Sequence, residues 1–257
     1  MLKSSSNDKD LKKPRETNGL KIRLDDLKTF EPLTDNQRIF FEAYKRGDYF
    51  VALHGVAGTG KTFCALYKAL EEVMDKANPY THVTVIRSAV QSRDIGHLPG
   101  DVDEKLDTYI QPYKQICATL FGRSDAWQRL EEQGHVQFVS TSFIRGTTFD
   151  SSVIIVDEMQ NMNFEELDTI ITRVGHRSKI IFCGDYRQSD LRKHDEKEGI
   201  LRFLEIANRM GAHTRVEFTV DDIVRSSLVK DYIIAKMKYE DEVDQTRGHM
   251  GKLKRVG

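Results

Sequence analysis

Cysteine, proline and tryptophan are scarce in this chain, with three, five and one among 257 residues. Cys64, Cys117 and Cys183 stand far apart, with no C-x-x-C pair and no histidines at zinc-finger spacing, so reduced structural thiols are expected rather than a disulfide framework or a zinc knuckle. The eight histidines are equally scattered, and none forms the H-E-x-x-H layout of a zinc hydrolase. Long apolar runs are missing too. Stretches such as Val153-Ile154-Ile155-Val156 fall far short of the roughly 18 residues of a membrane helix, so no membrane partner is expected. Neither sign of charge dominates: Lys+Arg 39 against Asp+Glu 40 leaves a net charge of −1, which argues against a general nucleic-acid coat and makes any polyanion site local. The opening Met1-Leu2-Lys3-Ser4-Ser5-Ser6 has no apolar stretch of the secretory kind, and a cytoplasmic location is expected.

What is present reads as a globular chain, 39% hydrophobic and 31% charged. Residues 1–30 carry eight Lys/Arg against five Asp/Glu and few large apolar side chains, and are expected to form a flexible basic and polar arm. Residues 237–257, with Glu240-Asp241-Glu242 and then Lys252, Lys254 and Arg255, read as a charged tail. Between them, residues 31–236 alternate short Val/Ile-rich runs with segments of helical period. Strands are expected at Phe50–Leu53, Val83–Ile86, Val136–Val139, Val153–Val156, Lys179–Phe182 and Val216–Phe218, and helices at Lys61–Lys76, Glu165–Val174, Glu198–Met210 and Asp222–Lys236. Strands apolar on consecutive positions suit a sheet covered on both faces, so the fold class is α/β, mostly parallel, with ligands beyond the carboxyl ends of the strands.

Directly after the first run stands Gly55-Val56-Ala57-Gly58-Thr59-Gly60-Lys61-Thr62, a complete G-x-x-x-x-G-K-[ST] opening a helix. The glycines let successive N–H groups converge on phosphate oxygens, the helix N-terminus adds its positive end, Lys61 neutralises phosphate charge, and the Thr62 hydroxyl is placed to ligate Mg²⁺. A second run, Val153–Val156, ends in Asp157-Glu158. There Asp157 can hold the magnesium and Glu158 can orient or deprotonate an attacking water. Beyond the next run, Gln188 could contact that water or the terminal phosphate, with an ordinary turn as the alternative. Asp221-Asp222-Ile223-Val224-Arg225 is read as a capped helix start whose Arg225 could act as an arginine finger, or as a surface ion pair. In Thr34-Asp35-Asn36-Gln37, the two-faced amide of Gln37 matches the adenine edge, with helix capping as the simpler role.

Together these residues resemble the PhoH family of P-loop ATPases over about Leu33 to Lys236. Further marks are Arg87, Leu98-Pro99-Gly100-Asp101, Glu104-Lys105-Leu106-Asp107, Phe143-Ile144-Arg145-Gly146-Thr147-Thr148-Phe149, Asp157-Glu158-Met159-Gln160-Asn161, Gly184-Asp185 and Asp222-Ile223-Val224-Arg225. Ser88, Thr108 and Ser226 depart from the family pattern without touching a proposed phosphate contact, as in compact phage-encoded members. The resemblance implies a single RecA-like P-loop NTPase core, ATP and Mg²⁺ as cofactors, and roles for Gln37, Gln188 and Arg225. It also implies an RNA or single-stranded nucleic-acid partner, with Arg87, Arg93, Lys105 and Arg145 as candidate contacts and Tyr109 and Phe143 as stacking surfaces. Since one core is present, either a homo-oligomeric ring, hexameric by resemblance, brings Arg225 to a neighbour's nucleotide, or the protein does not translocate. A nucleotide-gated binding protein competes with the ATPase, and a small-molecule kinase is a third class, disfavoured because Glu158 is placed for water.

Overall fold

The computed structural model describes residues 21–88, 102–185, 194–211 and 213–253. Its six strands contain the six expected apolar runs. In chain order the elements are α1 (Asp35–Lys45), β1 (Phe50–Gly55), α2 (Lys61–Met74), β2 (His82–Arg87), α3 (Val102–Phe121), α4 (Ala126–Glu132), β3 (Val136–Ser140), β4 (Ser152–Asp157), α5 (Phe164–Ile171), β5 (Lys179–Gly184), α6 (His194–Arg209), β6 (Thr214–Phe218) and α7 (Ser227–Leu253). The strands form a single sheet in the order β3-β2-β4-β5-β1-β6, with every pairing parallel.

Side-chain alternation divides each central strand between two cores. Val153 and Ile155 of β4 join Val51 and Leu53 of β1 and the inner residues of α2, α3 and α4 on one face. Ile154 and Val156 turn to the other, against Leu167 and Ile170 of α5 and Ile200, Phe203 and Leu204 of α6. Because both faces are covered, β1, β4 and β5 are buried at every position, which is why their sequences are apolar on consecutive residues. Cys64, Cys117 and Cys183 are free and buried, and burial pushes the Cys64 and Cys117 thiols up to about 12.

Residues 21–30, assigned above to the mobile arm, lie on the body. Ile22 is buried, its N–H donates to Gln133 Oε1 (2.8 Å) and its carbonyl accepts from Gln133 Nε2 (3.0 Å). The Lys28 N–H donates to Leu120 O (2.9 Å), and the Phe30 ring meets Phe63 edge-on at 5.1 Å. A few spaced apolar residues suffice to pin a polar segment onto a groove. At the other end α7 runs on past 236 to Leu253. It begins at Ser227 rather than Asp222: Val220–Asp222 form a 3-10 turn, and residues 223–226 are a non-helical link. Among the described residues no helix is long and apolar enough to cross a membrane.

Candidate functional site

The motif residues meet at the carboxyl edge of the sheet. β1 ends at Gly55 with φ +118°, where a Cβ would stand 2.0 Å from the Phe218 carbonyl oxygen of β6, so only glycine fits. The next N–H, of Val56, donates to that oxygen (3.0 Å) and turns the chain out of the sheet. Gly60, at φ +81°, caps α2 without a side chain, which leaves the first-turn N–H groups open to an anion.

Lys61 is only 9% exposed. Its ammonium donates to Gly55 O (2.8 Å), Val56 O (2.7 Å) and Thr59 Oγ1 (3.3 Å), so among the described residues its hydrogen bonds end on neutral oxygens. Burial holds its pKa below the usual lysine value, against the pull of Cys183, Asp185, Glu158 and Asp157. A buried cation bonded in this way fits an incoming phosphate, which would supply the missing countercharge.

β5 separates β1 from β4, so the loop and the acids stand two strand spacings apart, roughly 9.5 Å. Side chains close that distance. Thr62 Oγ1 donates to Asp157 Oδ1 (2.8 Å), and Asp157 Oδ2 accepts from the hydroxyl of Tyr113 on α3 (2.9 Å). A hydroxyl and a carboxylate are hard oxygen donors of the kind Mg²⁺ takes in small number beside nucleotide phosphates, so the pair fits that ion.

Glu158 occupies the left-handed region at φ +54°, opening a 3-10 turn over Met159–Asn161. For a non-glycine residue that is a strained conformation. Burial, then the Asp157 charge, push its carboxyl above the usual range, while Arg87, a bond from Gln160 and Lys61 pull the other way. Gln160 links the acid to the next strand: its Nε2 bonds Glu158 Oε2 and its Oε1 accepts from the Asp185 N–H (3.0 Å). A Cβ on Gly184 would stand 2.5 Å from that same Oε1, so glycine there makes room for the bridge.

Lys61, Thr62, Asp157, Glu158, Gln160 and Gly184 line a cavity of about 910 Å³, together with Gln37, Arg87 and Arg225. Gln37 is buried and works as a strut, accepting from the Leu33 N–H (2.8 Å) and donating to Thr59 O (2.9 Å). Arg225 is exposed on the link before α7, its Cγ 3.1 Å from where a Cβ of Gly58 would stand, and Val224 N–H pins that link to Gly58 O (3.1 Å). It therefore lines the cavity of its own chain, and the capping role expected of Asp222 is different. Asp222 ties the link to α1, accepting from Asn36 Nδ2 (2.7 Å) and Thr219 N–H (2.8 Å).

Three of the four candidate nucleic-acid cations fall within the described residues. Arg87 lines the nucleotide-sized cavity, Lys105 stands in the first turn of α3, and Arg145 is exposed on the loop between β3 and β4. Arg93, Gln188 and the Leu98–Asp101 block lie outside the described residues. Phe143, two positions from Arg145, is 61% exposed. Sequence reasoning missed Tyr113 and assigned no role to Gln160. Gln160 could have been found from its place two residues beyond Glu158, whereas nothing in the sequence marks Tyr113 as a partner of Asp157.

A family model described as PhoH-like protein matches residues 29–237. The chain belongs to the PhoH-like family. It is 34% identical over 209 residues to a PhoH-like protein of Bacillus subtilis, covering 81% of this chain and 64% of that one. To the protein PhoH of Escherichia coli it is 33% identical over 165 residues, 58% of this chain and 46% of the relative. The chain thus spans less than two thirds of these curated PhoH-like relatives. Among solved structures, the large terminase of a thermophilic bacteriophage overlaps 79% of this chain and 50% of its own at 12% identity and a TM-score of 0.46. The Pif1 helicase of Candida albicans overlaps 74% and 41% at 16% identity and a TM-score of 0.31. Neither overlap bears on substrate or reaction. Family membership, the parallel sheet and the glycine loop make this PhoH-like domain a P-loop nucleotide-binding fold.

Proposed function

We propose that the domain hydrolyses ATP with Mg²⁺ and couples the cycle to RNA or single-stranded nucleic acid. The observation that carries the hydrolase part of this reading is the 2.8 Å contact between Thr62 and Asp157, which joins a phosphate-binding loop to a strand end bearing two acids. In this reading the loop amides and Lys61 hold the β- and γ-phosphates. Thr62 and Asp157 would hold the magnesium, which supplies positive charge to the phosphate oxygens. Glu158 accepts the proton of the attacking water, a task suited to a carboxyl that burial makes more basic than usual. Arg225, beside Gly58 and lining the same cavity, would steady phosphate charge on the loop side from within the same chain. Positioning and electrostatics of this kind carry most of the work in phosphoryl transfer.

Gln37 supports adenine as the base. Each arm of its amide makes one bond to the protein, leaving one N–H and one lone pair in a fixed orientation, and the adenine edge offers an acceptor and a donor side by side. Exposed Phe143 beside Arg145 supports a stacking and phosphate contact to a single strand. A homo-oligomer, hexameric by family resemblance, is supported by the exposed Leu228, Tyr232 and Tyr239 of α7. Phosphate release from ATP, measured with and without Mg²⁺, oligo-RNA, oligo-DNA and small acceptors, tests the reading. Mg²⁺-dependent turnover that rises with oligonucleotide and vanishes in Lys61→Ala is expected. Tight ATP binding with no turnover under any of these conditions would instead favour the nucleotide-gated binding protein.

A further inference from the structure

We propose that Arg87 is a ligand of the terminal phosphate of the bound nucleotide, supplied by the same chain, and not a contact to nucleic acid. The inference rests on the nucleotide reading above and adds a residue to it. Arg87 is the last residue of β2, and its register partner across the sheet is Asp157. Neighbouring strands lie about 4.8 Å apart, so the backbone itself sets Arg87 next to the paired acids at the edge where the loop opens. Its side chain lines the same cavity as Lys61, Thr62 and Glu158.

The guanidinium is also held in place. Its carbon lies 5.6 Å from the centroid of the Tyr109 ring on α3, a cation–π contact. Tyr109 and Tyr113 are one helical turn apart and share a face, and Tyr113 holds Asp157. One face of α3 thus orients both an acid and a cation toward one spot. Along the strand edge the order is Arg87, then Asp157 and Glu158, then Gly184, then the loop, with Arg225 following β6 at the far flank. A triphosphate whose inner phosphates lie in the loop points its terminal group toward the acids, with Arg87 beyond them. A planar fork of N–H donors suits phosphate oxygens there. The same acids around the guanidinium repel a polyanionic strand and make a poor track for it.

Calorimetric titration of the full chain with Mg²⁺ plus the non-hydrolysable ATP analogue AMPPNP, with Mg²⁺ plus ADP, and with oligo-uridine in the absence of nucleotide separates the two roles. For Arg87→Ala we expect AMPPNP affinity to fall about 10- to 100-fold, the scale of a charged hydrogen bond, with ADP and oligo-uridine unchanged within about two-fold. Arg87→Lys, which keeps the charge and loses the fork, should fall in between, and it stands in for the alanine variant if that one does not fold. Equal weakening of AMPPNP and ADP, unchanged AMPPNP binding, or loss of oligo-uridine binding alone overturns the proposal. Wild-type protein that binds neither nucleotide overturns the underlying reading as well, an outcome distinct from all three.

Discussion

Replacing Tyr113 by Phe removes one hydroxyl from a fully buried ring and almost no volume. The ring packs between Trp127 and Phe138 with both centroids 6.0 Å away, so the packing survives. What is lost is the 2.9 Å hydrogen bond to Asp157 Oδ2. Burial, then the Asp157 charge, hold the phenol well above its usual pKa, so it is a permanent donor. Hydrogen bonds to charged groups contribute about 1.5–3 kcal/mol, and at about 2–4 °C per kcal/mol for a domain of this size the melting temperature should drop roughly 3–12 °C. The functional effect follows from the other oxygen. With Oδ2 released, the carboxylate rotates and Oδ1 no longer meets Thr62 in a fixed direction, and losses of this outer type cost about 10- to 100-fold in metal affinity. Titrating Mg²⁺ into protein with AMPPNP measures it. A Tyr113→Phe protein with a Mg²⁺ midpoint within two-fold of wild type and an unchanged melting temperature would refute the reasoning.

Gly55→Ala should be far more damaging, because its methyl would stand 2.0 Å from a backbone oxygen at a φ of +118°. A loss of about 4 kcal/mol or more is expected by denaturant titration, and a melting temperature within about 2 °C of wild type contradicts it. Asp222→Asn probes the link that carries Arg225. Burial raises the Asp222 pKa, but bonds from Thr219, Thr34 and Asn36 outweigh it and hold the group below its ordinary value. A lowered carboxylate contributes stability that is present above about pH 4 and lost as pH falls through the folded-state value. The variant should therefore be about 1–2 kcal/mol less stable at pH 7, with the gap closing at more acid pH. A gap that is constant from pH 7 down to the acid transition rules out the ionic role.

The sheet and its loop were legible because burial on two faces and phosphate binding both leave local marks. Consecutive Val and Ile at 153–156 have one physical reading in a chain of this composition, and Gly55, Gly60 and Lys61 sit at spacings that backbone geometry dictates. The segment containing α3 and α4 was not legible. Pro112 inside α3 reads as a helix breaker, and what stabilises the helix is long-range packing of Tyr113, Cys117 and Leu120 on the sheet. Losing α3 from the sequence reading meant losing Tyr113 and the setting of Arg87, whose place by the acids depends on β2 pairing with β4. Ile22 failed similarly, since its burial depends on Gln133, 111 residues away. Ser88, which stands where the PhoH pattern it resembles often has proline, has a local explanation: its hydroxyl donates to Glu166 at the start of α5 (3.0 Å), a bond proline cannot make.

The central claim is that a triphosphate lies between the Gly55–Thr62 loop and the Asp157-Glu158 pair, with Glu158 acting on water. Glu158→Gln keeps shape and removes the base, so AMPPNP affinity with Mg²⁺ and ATP turnover should be measured together on that variant. The account predicts affinity within a few-fold of wild type and turnover lower by about 10²-fold or more. Glu158→Gln protein that hydrolyses ATP at the wild-type rate contradicts it.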